Sequence, residues 1–505
     1  MASTFHVENF GCRAARADGE AVSDQLRAAG FCEGESAASD VVIVNACSVT
    51  AEADRSARAF IRRAHRLNPA AKIVVTGCYA QRAPRELAKL QGVSAVVGNS
   101  HKALAAEIVA GLVGGAELDA LSGHGFTGCG ITPHGQQEAS GHGFSRADEA
   151  LNKDGALAPE GMLIGVASLL AGGAAPIFAD DRFAHSFIEA AQVVPGAQTR
   201  PNLKIQEGCG NRCTFCVIPQ TRGSSQSLPA EIVLSQVEGF VAAGGRELVL
   251  SGINLGRWGR DLPNAGRPTL AGLLQQIFAQ TALARLRLSS IEPMDWDAEL
   301  IALLAEFGGS RLARHAHLPL QSGSDAVLRR MHRRYRPWHY AEKVAALQQA
   351  AGPELTLGAD VMVGFPGETD AEFNQTVKLL QALPFGYLHL FPFSPRPATP
   401  AWALHDAHPV PSEVVAARMA VLRALAAEKT QTHRSRFVGR DLDAITLRTP
   451  LEVNALGRTA ALTENFLPVE FVGRLEANQL LRLRVTGVKD DGTLDASLVG
   501  PHSAQ

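Results

Sequence analysis

Residues 206–216 read QEGCGNRCTFC, a loop with three cysteines in C-x3-C-x2-C spacing and a glycine before the first of them. Three thiolates on one short loop can bind three irons of a [4Fe–4S] cluster and leave the fourth iron open to another ligand. A zinc ion would need a fourth protein ligand, and the next Cys or His after Cys216 is His315. The alternative is three buried thiols, but cysteines rarely cluster without chemistry that holds them. Cys209, Cys213 and Cys216 are therefore predicted to hold an iron–sulfur cluster.

The chain around this loop alternates between apolar runs and helical patterns from residue 197 to about residue 428. The loop itself follows the first of these runs, residues 202–206. A repeated strand-then-helix order predicts a parallel barrel or partial barrel with its active site at the carboxyl ends of the strands. The cluster loop would then lie on the catalytic face. The further predicted strands are residues 247–251, 286–290, 315–320, 359–363 and 388–391.

Three more cysteines, Cys12, Cys47 and Cys78, lie far apart in the first hundred residues. Cys47 and Cys78 follow apolar runs that begin at Val41 and Ile73 and that are typical of buried parallel strands. In an open α/β sheet the carboxyl ends of neighbouring strands meet at one crevice, so the three thiols can converge there. Taken singly, each could equally be a small buried hydrophobic residue. Their shared placement predicts a second metal site.

The overall composition describes a globular protein of several domains. The chain has 505 residues, 46% of them apolar, and a formal net charge of −2, which excludes a uniformly basic nucleic-acid coat. Eight cysteines are too few for a disulfide scaffold of this size. The first residues lack the basic start and apolar run of a signal peptide, so we expect a cytoplasmic protein.

Two other regions change in character. Residues 119–196 are rich in Gly, Ala and His, and their apolar stretch 162–178 is interrupted by glycines and a proline and is short for a membrane span. Their irregular histidines and cysteine could bind a metal, but such tracts are only compositional hints; they are His124, Cys129, His134 and His142. Short β-rich runs after residue 430 predict a small antiparallel barrel.

These patterns together predict a multidomain α/β fold. The predicted parts are an N-terminal open parallel α/β sheet domain (1–118), an insertion or linker (119–196), a central partial (β/α) barrel (197–428) and a C-terminal β barrel (430–500). A helix over residues 54–67 carries a basic surface that either is simply solvated or contacts a phosphate backbone. Its arginines are Arg55, Arg58, Arg62, Arg63 and Arg66.

The C-x3-C-x2-C loop with Phe215 before its last cysteine resembles the radical S-adenosylmethionine superfamily. The three parts together resemble the methylthiotransferases over nearly the whole chain outside residues 119–196. The segments NACSVT (45–50) and TGCYAQ (76–81) are most similar to the branch that acts on threonylcarbamoyladenosine in tRNA. The alternatives are the branches acting on isopentenyladenosine in tRNA or on an aspartate of a ribosomal protein, and a non-enzymatic iron–sulfur RNA-binding protein.

This resemblance implies two [4Fe–4S] clusters, an auxiliary one on Cys12, Cys47 and Cys78 and a radical-generating one on Cys209, Cys213 and Cys216. It also implies S-adenosylmethionine as cofactor, the tRNA anticodon loop as partner, a low-potential electron donor and no membrane. Residues 432–500 resemble the RNA-binding TRAM module. The residues expected beside S-adenosylmethionine or the nucleoside are Phe215, Glu247, Ser290, Glu292, Gln321, Ser322 and Gly364.

Overall fold

The computed structural model describes residues 3–114, 174–186, 199–263 and 268–501. Most of the predicted insertion, including His124, Cys129, His134 and His142, lies outside the described residues. Within the described ranges, no helix combines the length and the apolar character that crossing a bilayer requires.

The N-terminal part is a six-stranded parallel sheet in the order β2-β1-β3-β4-β5-β6. Alternate residues of the wholly buried strand β3 face opposite sides, so Val42 and Val44 belong to one apolar core and Val41 and Ile43 to the other. Both faces are therefore covered by helices. The strands are β1 (Thr4–Phe10), β2 (Cys32–Glu33), β3 (Val41–Ala46), β4 (Lys72–Gly77), β5 (Val93–Gly98) and β6 (Ile177–Phe178). The helices are α1 (Arg13–Ala28), α2 (Ala51–Leu67), α3 (Cys78–Arg82), α4 (Pro84–Ala88) and α5 (Ala105–Gly114), with a 3-10 turn at Asn99–Leu104.

The central part is a partial barrel of two sheets, in the orders β10-β9-β7-β8 and β11-β12-β13. Its strands pair in parallel except for β8, which runs antiparallel to β7. The strands are β7 (Asn202–Glu207), β8 (Gln226–Ser227), β9 (Glu247–Gly252), β10 (Arg285–Leu288), β11 (His315–His317), β12 (Thr356–Val363) and β13 (Phe385–Pro392). The helices are α6 (Ile218–Arg222), α7 (Ala230–Ala242), α8 (Leu270–Gln280), α9 (Ala298–Phe307), α10 (Asp325–Arg330), α11 (Pro337–Ala351), α12 (Asp370–Ala382), α13 (Pro400–Ala407) and α14 (Ser412–Ser435), with 3-10 turns at Leu255–Arg257 and Pro293–Asp295.

The C-terminal part is a closed five-stranded barrel in the order β14-β15-β16-β18-β17. It departs from the predicted antiparallel barrel at one place, because β16 and β18 pair in parallel. Its elements are β14 (Asp441–Thr446), α15 (Leu451–Ala455), β15 (Arg458–Thr463), β16 (Pro468–Val472), β17 (Leu480–Val488) and β18 (Leu494–Pro501).

One turn of this terminal barrel, residues 463–466, inserts against the amino ends of β10 and β11. The Thr463 carbonyl accepts a hydrogen bond of 3.2 Å from Arg287 Nη2, and Glu464 accepts one of 2.8 Å from Arg314 Nε. Phe466, with φ of 70°, places its ring 4.3 Å from the His315 ring. The terminal barrel thus closes one end of the central part. The α/β multidomain prediction is confirmed, whereas the exact domain boundaries stay a prediction.

Candidate active site

Cys12, Cys47 and Cys78, the first triad, converge at one edge of the N-terminal sheet. Cys12 follows β1 and precedes α1, Cys47 follows β3, and Cys78 begins α3 directly after β4. Because β1, β3 and β4 are adjacent parallel strands, their carboxyl ends lie side by side. The turn at Gly11 has φ of +130°, and a Cβ built there would lie only 2.4 Å from Cys47 Cβ. Only glycine lets the Cys12 backbone come this close to Cys47.

The thiols of this first triad interact electrostatically. Burial, followed by the neighbouring Cys78 and Cys12, raises the pKa of Cys47 to about 12. The Cys78 sulfur accepts hydrogen bonds from Arg222 Nε at 3.2 Å and from Asn99 Nδ2 at 3.4 Å. These donors would hydrogen-bond a sulfur atom that ligates a metal, and such contacts orient the ligand.

The second triad lies on the loop after β7. Gly208 starts this loop with φ of +66°, and a Cβ there would lie 1.9 Å from the Ser224 carbonyl oxygen. Burial and then Cys213 and Cys209 raise the pKa of Cys216 to about 12; a hydrogen bond from the Ile218 backbone opposes this rise. The cysteine loop thus packs closely against the backbone of Gly223 and Ser224, which follow the triad in sequence.

Polar side chains from distant segments reach the sulfur atoms of the second triad. Arg333 Nη1 donates to Cys213 Sγ at 3.3 Å, and Asn254 Nδ2 lies 3.7 Å from Cys209 Sγ. Arg333 also pairs with Glu292 through its other nitrogen. Such donors orient and tune thiolate ligands.

The donor sets of both triads fit a cluster better than a single ion. A tetrahedral zinc ion with Zn–S bonds of about 2.3 Å needs sulfur atoms about 3.8 Å apart. In the described part of the chain, three or more possible ligand atoms lie within 4.8 Å of one another only at His317, Asp360 and His389. Neither cysteine triad meets this spacing within the described residues, so neither is arranged for a single zinc ion, and three thiolates that leave one iron open are the donor set of a [4Fe–4S] cluster.

A cavity of about 470 Å³ reaches one cysteine of the first triad and the whole second triad, and its volume is in the usual range for small-molecule sites. Cys12 of the first triad lines it, together with all three cysteines of the second. Among the other residues predicted from the sequence, four also line it: Phe215, Ser290, Glu292 and Gln321. The structure thus brings most of the predicted residues to one place.

Glu247 does not lie at this cavity, and its predicted contact with S-adenosylmethionine is wrong. It is the first residue of β9, about 17 Å along the strand from Gly252 at the catalytic end. It is fully buried and accepts a hydrogen bond of 3.0 Å from Arg287 Nε, and it also pairs with Arg285. These arginines hold the pKa of Glu247 below its ordinary value, although burial alone would raise it. Glu247 is a buried ion-pair partner.

Ser322 and Gly364 also lie outside the cavity lining, in disagreement with their predicted positions. The Ser322 hydroxyl lies 3.2 Å from the Thr376 hydroxyl of α12, so it ties a turn to a helix. Gly364, with φ of +77°, donates its backbone N–H to Glu368, and a Cβ there would lie 2.5 Å from a Val415 methyl carbon. Both residues stabilise the turns that follow their strands.

A row of aromatic rings on β11 and β13 forms a cavity wall that sequence reasoning missed. His317 Nδ1 lies 2.6 Å from the Ser290 hydroxyl, and its Nε2 lies 3.3 Å from Asp360. His389 Nδ1 lies 3.3 Å from the same carboxylate, and the Tyr387 ring stacks at 6.0 Å on His317. The His-Ala-His pattern of β11 was the available signal, because residues two apart share a strand face.

A buried group of charges joins the N-terminal sheet to the central barrel. Arg222 Nη1 donates to Glu207 at 2.7 Å and to Asp18 at 3.0 Å. Lys102 and Lys204 each pair with the same two carboxylates. Burial would lower the pKa of Arg222, but Cys78 and the carboxylates hold it well above its ordinary value. Arg222 therefore links the second cysteine loop to the first triad.

Comparisons with known proteins agree with this arrangement. The model of "Uncharacterized protein family UPF0004" matches residues 4–98, and that of the "Radical SAM superfamily" matches residues 203–380. The threonylcarbamoyladenosine tRNA methylthiotransferase MtaB of Aquifex aeolicus is 32% identical over 480 residues, which cover 95% of this chain and 99% of that protein. The chain belongs to the threonylcarbamoyladenosine tRNA methylthiotransferase family.

Other relatives show similar sequence identity to this chain, and one solved structure shares its fold. The MtaB methylthiotransferase of Bacillus subtilis is 31% identical over 93% of this chain and 91% of its own length. The tRNA-2-methylthio-N(6)-dimethylallyladenosine synthase of Geobacter metallireducens is 32% identical but covers only 79% of this chain. The radical S-adenosylmethionine methyltransferase TsrM of Kitasatospora setae shares the fold, with a TM-score of 0.53, 15% identity and coverage of 80% of this chain and 77% of that one. For a methylthiotransferase of this family, two [4Fe–4S] clusters and S-adenosylmethionine are the cofactors.

Proposed function

We propose that this protein adds a methylthio group to carbon 2 of N6-threonylcarbamoyladenosine beside the anticodon of tRNA. The observation that carries the proposal is the single cavity lined by cysteines of both triads. A reaction that joins sulfur to an unactivated ring carbon needs a hydrogen-abstracting centre and a sulfur source within reach of one nucleobase. The cavity offers both positions to one substrate.

Cys209, Cys213 and Cys216 would hold one cluster, and Cys12, Cys47 and Cys78 the other. When bound, the two clusters and S-adenosylmethionine supply one-electron chemistry and a place for sulfur, which acid–base side chains cannot provide at a non-acidic C–H bond. The protein contributes the fixed positions of these ligands, since Gly11 and Gly208 hold both cysteine loops in backbone conformations that other residues rarely adopt.

The walls of the cavity would bind and orient the small-molecule partners. Phe215 and Tyr387 offer apolar ring surface for a nucleobase. Glu292 is held by Arg333, and Ser290 by His317, so their oxygens have fixed positions. A base and a cofactor that fill the cavity would also limit the access of water to the reacting atoms.

The tRNA would approach over α2 and the terminal barrel. Helix α2 begins beside Cys47 and presents exposed arginines, namely Arg55, Arg62, Arg63 and Arg66, that suit a phosphate backbone. The terminal arginines are less free, because Arg440 pairs with Glu354 and Arg436 donates to the Pro353 carbonyl. The cytosol remains the predicted location, and a low-potential electron donor the predicted redox partner.

The proposal is tested with anaerobically reconstituted full-length protein and S-adenosylmethionine under a chemical reductant. An anticodon stem–loop carrying N6-threonylcarbamoyladenosine should gain a methylthio group, which nucleoside mass spectrometry detects. The Cys12→Ala variant should lose this product, because one ligand of the first triad is missing. Absence of product with the unaltered protein would refute the proposal.

A second candidate substrate is dimethylallyladenosine in tRNA, because the Geobacter metallireducens relative named for it is also 32% identical. The same assay with a stem–loop carrying that nucleoside separates the two. Preferred conversion of the dimethylallyl form would reverse the assignment. Conversion of a ribosomal-protein peptide instead of either RNA would assign the protein to the aspartate-directed branch.

A further inference from the structure

Four arginines near the cavity and the terminal barrel carry more positive charge than neighbouring carboxylates neutralise. We call them the basic floor; Arg13 and Arg200 line the cavity or the smaller one beside it, whereas Arg285 and Arg287 are buried against Glu247 outside both linings. Arg285 and Arg287 are almost fully buried, with exposures of 1% and 0%. Within the described ranges, Glu247 is the carboxylate that pairs with Arg200, Arg285 and Arg287, and Arg13 pairs with none. Three of these cations therefore share one anion, and the fourth, Arg13, has none.

Several nitrogen atoms of this region also lack hydrogen-bond partners. Arg287 Nη1, Arg285 Nε and Arg200 Nε are buried without one. Buried, unpaired cationic donors are costly unless an anion satisfies them. Burial lowers the pKa of Arg200 to about 10. Glu247 opposes this decrease, whereas repulsion by Arg287 and Arg13 adds to it. The basic floor is thus built for one more negative group.

Arg13 extends this positive charge to the cavity that the cysteines line. It follows Cys12 and lines both the main cavity and an adjoining cavity of about 340 Å³ that Arg200 also lines. Its guanidinium lies 5.4 Å from the centre of the Phe466 ring, which is also 5.4 Å from the Arg287 guanidinium. Phe466 therefore holds two cations of the basic floor beside one apolar ring.

We propose that the basic floor binds the free carboxylate of the threonyl group on the substrate base, and that Arg13 is the residue that contacts it. This inference rests on the proposed function. A threonyl group joined through its nitrogen keeps its carboxylate, and this carboxylate is the anion that enters the cavity with the base. A guanidinium fork matches a carboxylate in two hydrogen bonds, which gives direction as well as affinity. A dimethylallyl group would leave the same cations unpaired, so the basic floor also selects between the two nucleosides.

The test compares two anticodon stem–loops that differ in one group. One carries N6-threonylcarbamoyladenosine, and the other carries its neutral carboxamide. Binding is measured by fluorescence anisotropy and conversion by mass spectrometry. The unaltered protein should prefer the acid by about 10-fold to 100-fold in Kd, the range for a hydrogen bond to a charged group. In Arg13→Gln this preference should fall to about threefold or less, whereas a purely structural defect would weaken both RNAs equally.

Arg329→Gln is the matched control, because Arg329 is an exposed arginine that pairs with Asp325 outside the cavity. It should keep the full preference for the acid. Equal binding of acid and carboxamide by the unaltered protein would overturn the inference while leaving the proposed function intact, and this comparison needs no variant. A preference unchanged in Arg13→Gln would also overturn it. Failure to convert either threonylcarbamoyl RNA would overturn the proposed function and the inference with it.

Discussion

Replacement of Arg222 by glutamine should destabilise the junction between the N-terminal sheet and the central barrel. Arg222 is the fully buried guanidinium that bonds Glu207, Asp18 and the Cys78 sulfur. Glutamine is shorter and neutral, so it cannot satisfy these acceptors. The carboxylates would remain buried with fewer donors, and such uncompensated charge is the main cost of breaking a buried ion pair.

The size of the effect follows from the bonds that are lost. Hydrogen bonds to charged groups contribute about 1.5–3 kcal/mol each, so the two carboxylate bonds together amount to about 3–6 kcal/mol. Lys102 and Lys204 still contact both carboxylates, which places the loss at the lower end of that range. We therefore expect the free energy of unfolding to fall by about 3 kcal/mol, within the range of about 3–5 kcal/mol for a broken buried pair.

Urea unfolding of the full-length protein, followed by circular dichroism at pH 7, measures this loss. The Arg329→Gln control removes an exposed pair and should change the free energy of unfolding by less than about 0.5 kcal/mol. A loss below about 1 kcal/mol in Arg222→Gln would refute the reasoning, because it would mean that water or the lysines fully replace the guanidinium.

Two other perturbations test local geometry and protonation. Gly11→Ala should displace Cys47 and lower the iron bound after anaerobic reconstitution from about eight to about four atoms per chain, whereas Gly30→Ala, with a similar positive φ but open space around it, should keep both clusters. Unchanged iron in Gly11→Ala would contradict the close approach of Gly11 to Cys47. Burial lowers the pKa of His433 from 6.5 to about 4, so the unfolded chain binds more protons below pH 6.5 and stability falls as the pH drops. Between pH 7 and pH 5, the free energy of unfolding should fall by about 2 kcal/mol more in the unaltered protein than in His433→Gln. An equal decrease in both proteins would exclude His433 as the cause.

The placement of the six cysteines was predictable because the strand pattern and the loop spacing determine it, whereas their role as metal ligands stays a prediction. Cys47 and Cys78 each follow an apolar run, and parallel strands bring such positions to one sheet edge. The spacing from Cys209 to Cys216 likewise places three thiols on one loop without help from distant residues. The strand pattern and the cysteine spacing therefore sufficed to place both triads and to predict the α/β fold.

Other features depended on contacts that no local pattern reveals. Glu247 follows a Gly-Gly-Arg turn and begins its strand, so it lies at the amino end, where Arg285 and Arg287 neutralise it. The contact between Arg222 and Cys78 spans 144 residues of sequence. Ser322 and Gly364 illustrate a third difficulty, because polar and glycine residues after a strand serve either a ligand or the turn itself.

The turn that carries Phe466 gives the terminal barrel a second role besides any grip on RNA. Its ring packs on His315 of the main cavity wall and lines the adjoining cavity with Arg13, while the Thr463 carbonyl holds Arg287. A shortened protein ending before residue 441 should consequently expose these cavities to water. It should lose activity even on a free nucleoside, which does not depend on RNA contacts for binding. Exchanging this barrel between relatives should also transfer part of their choice of base, since Phe466 packs against Arg13 and His315, which line the pocket that the base enters.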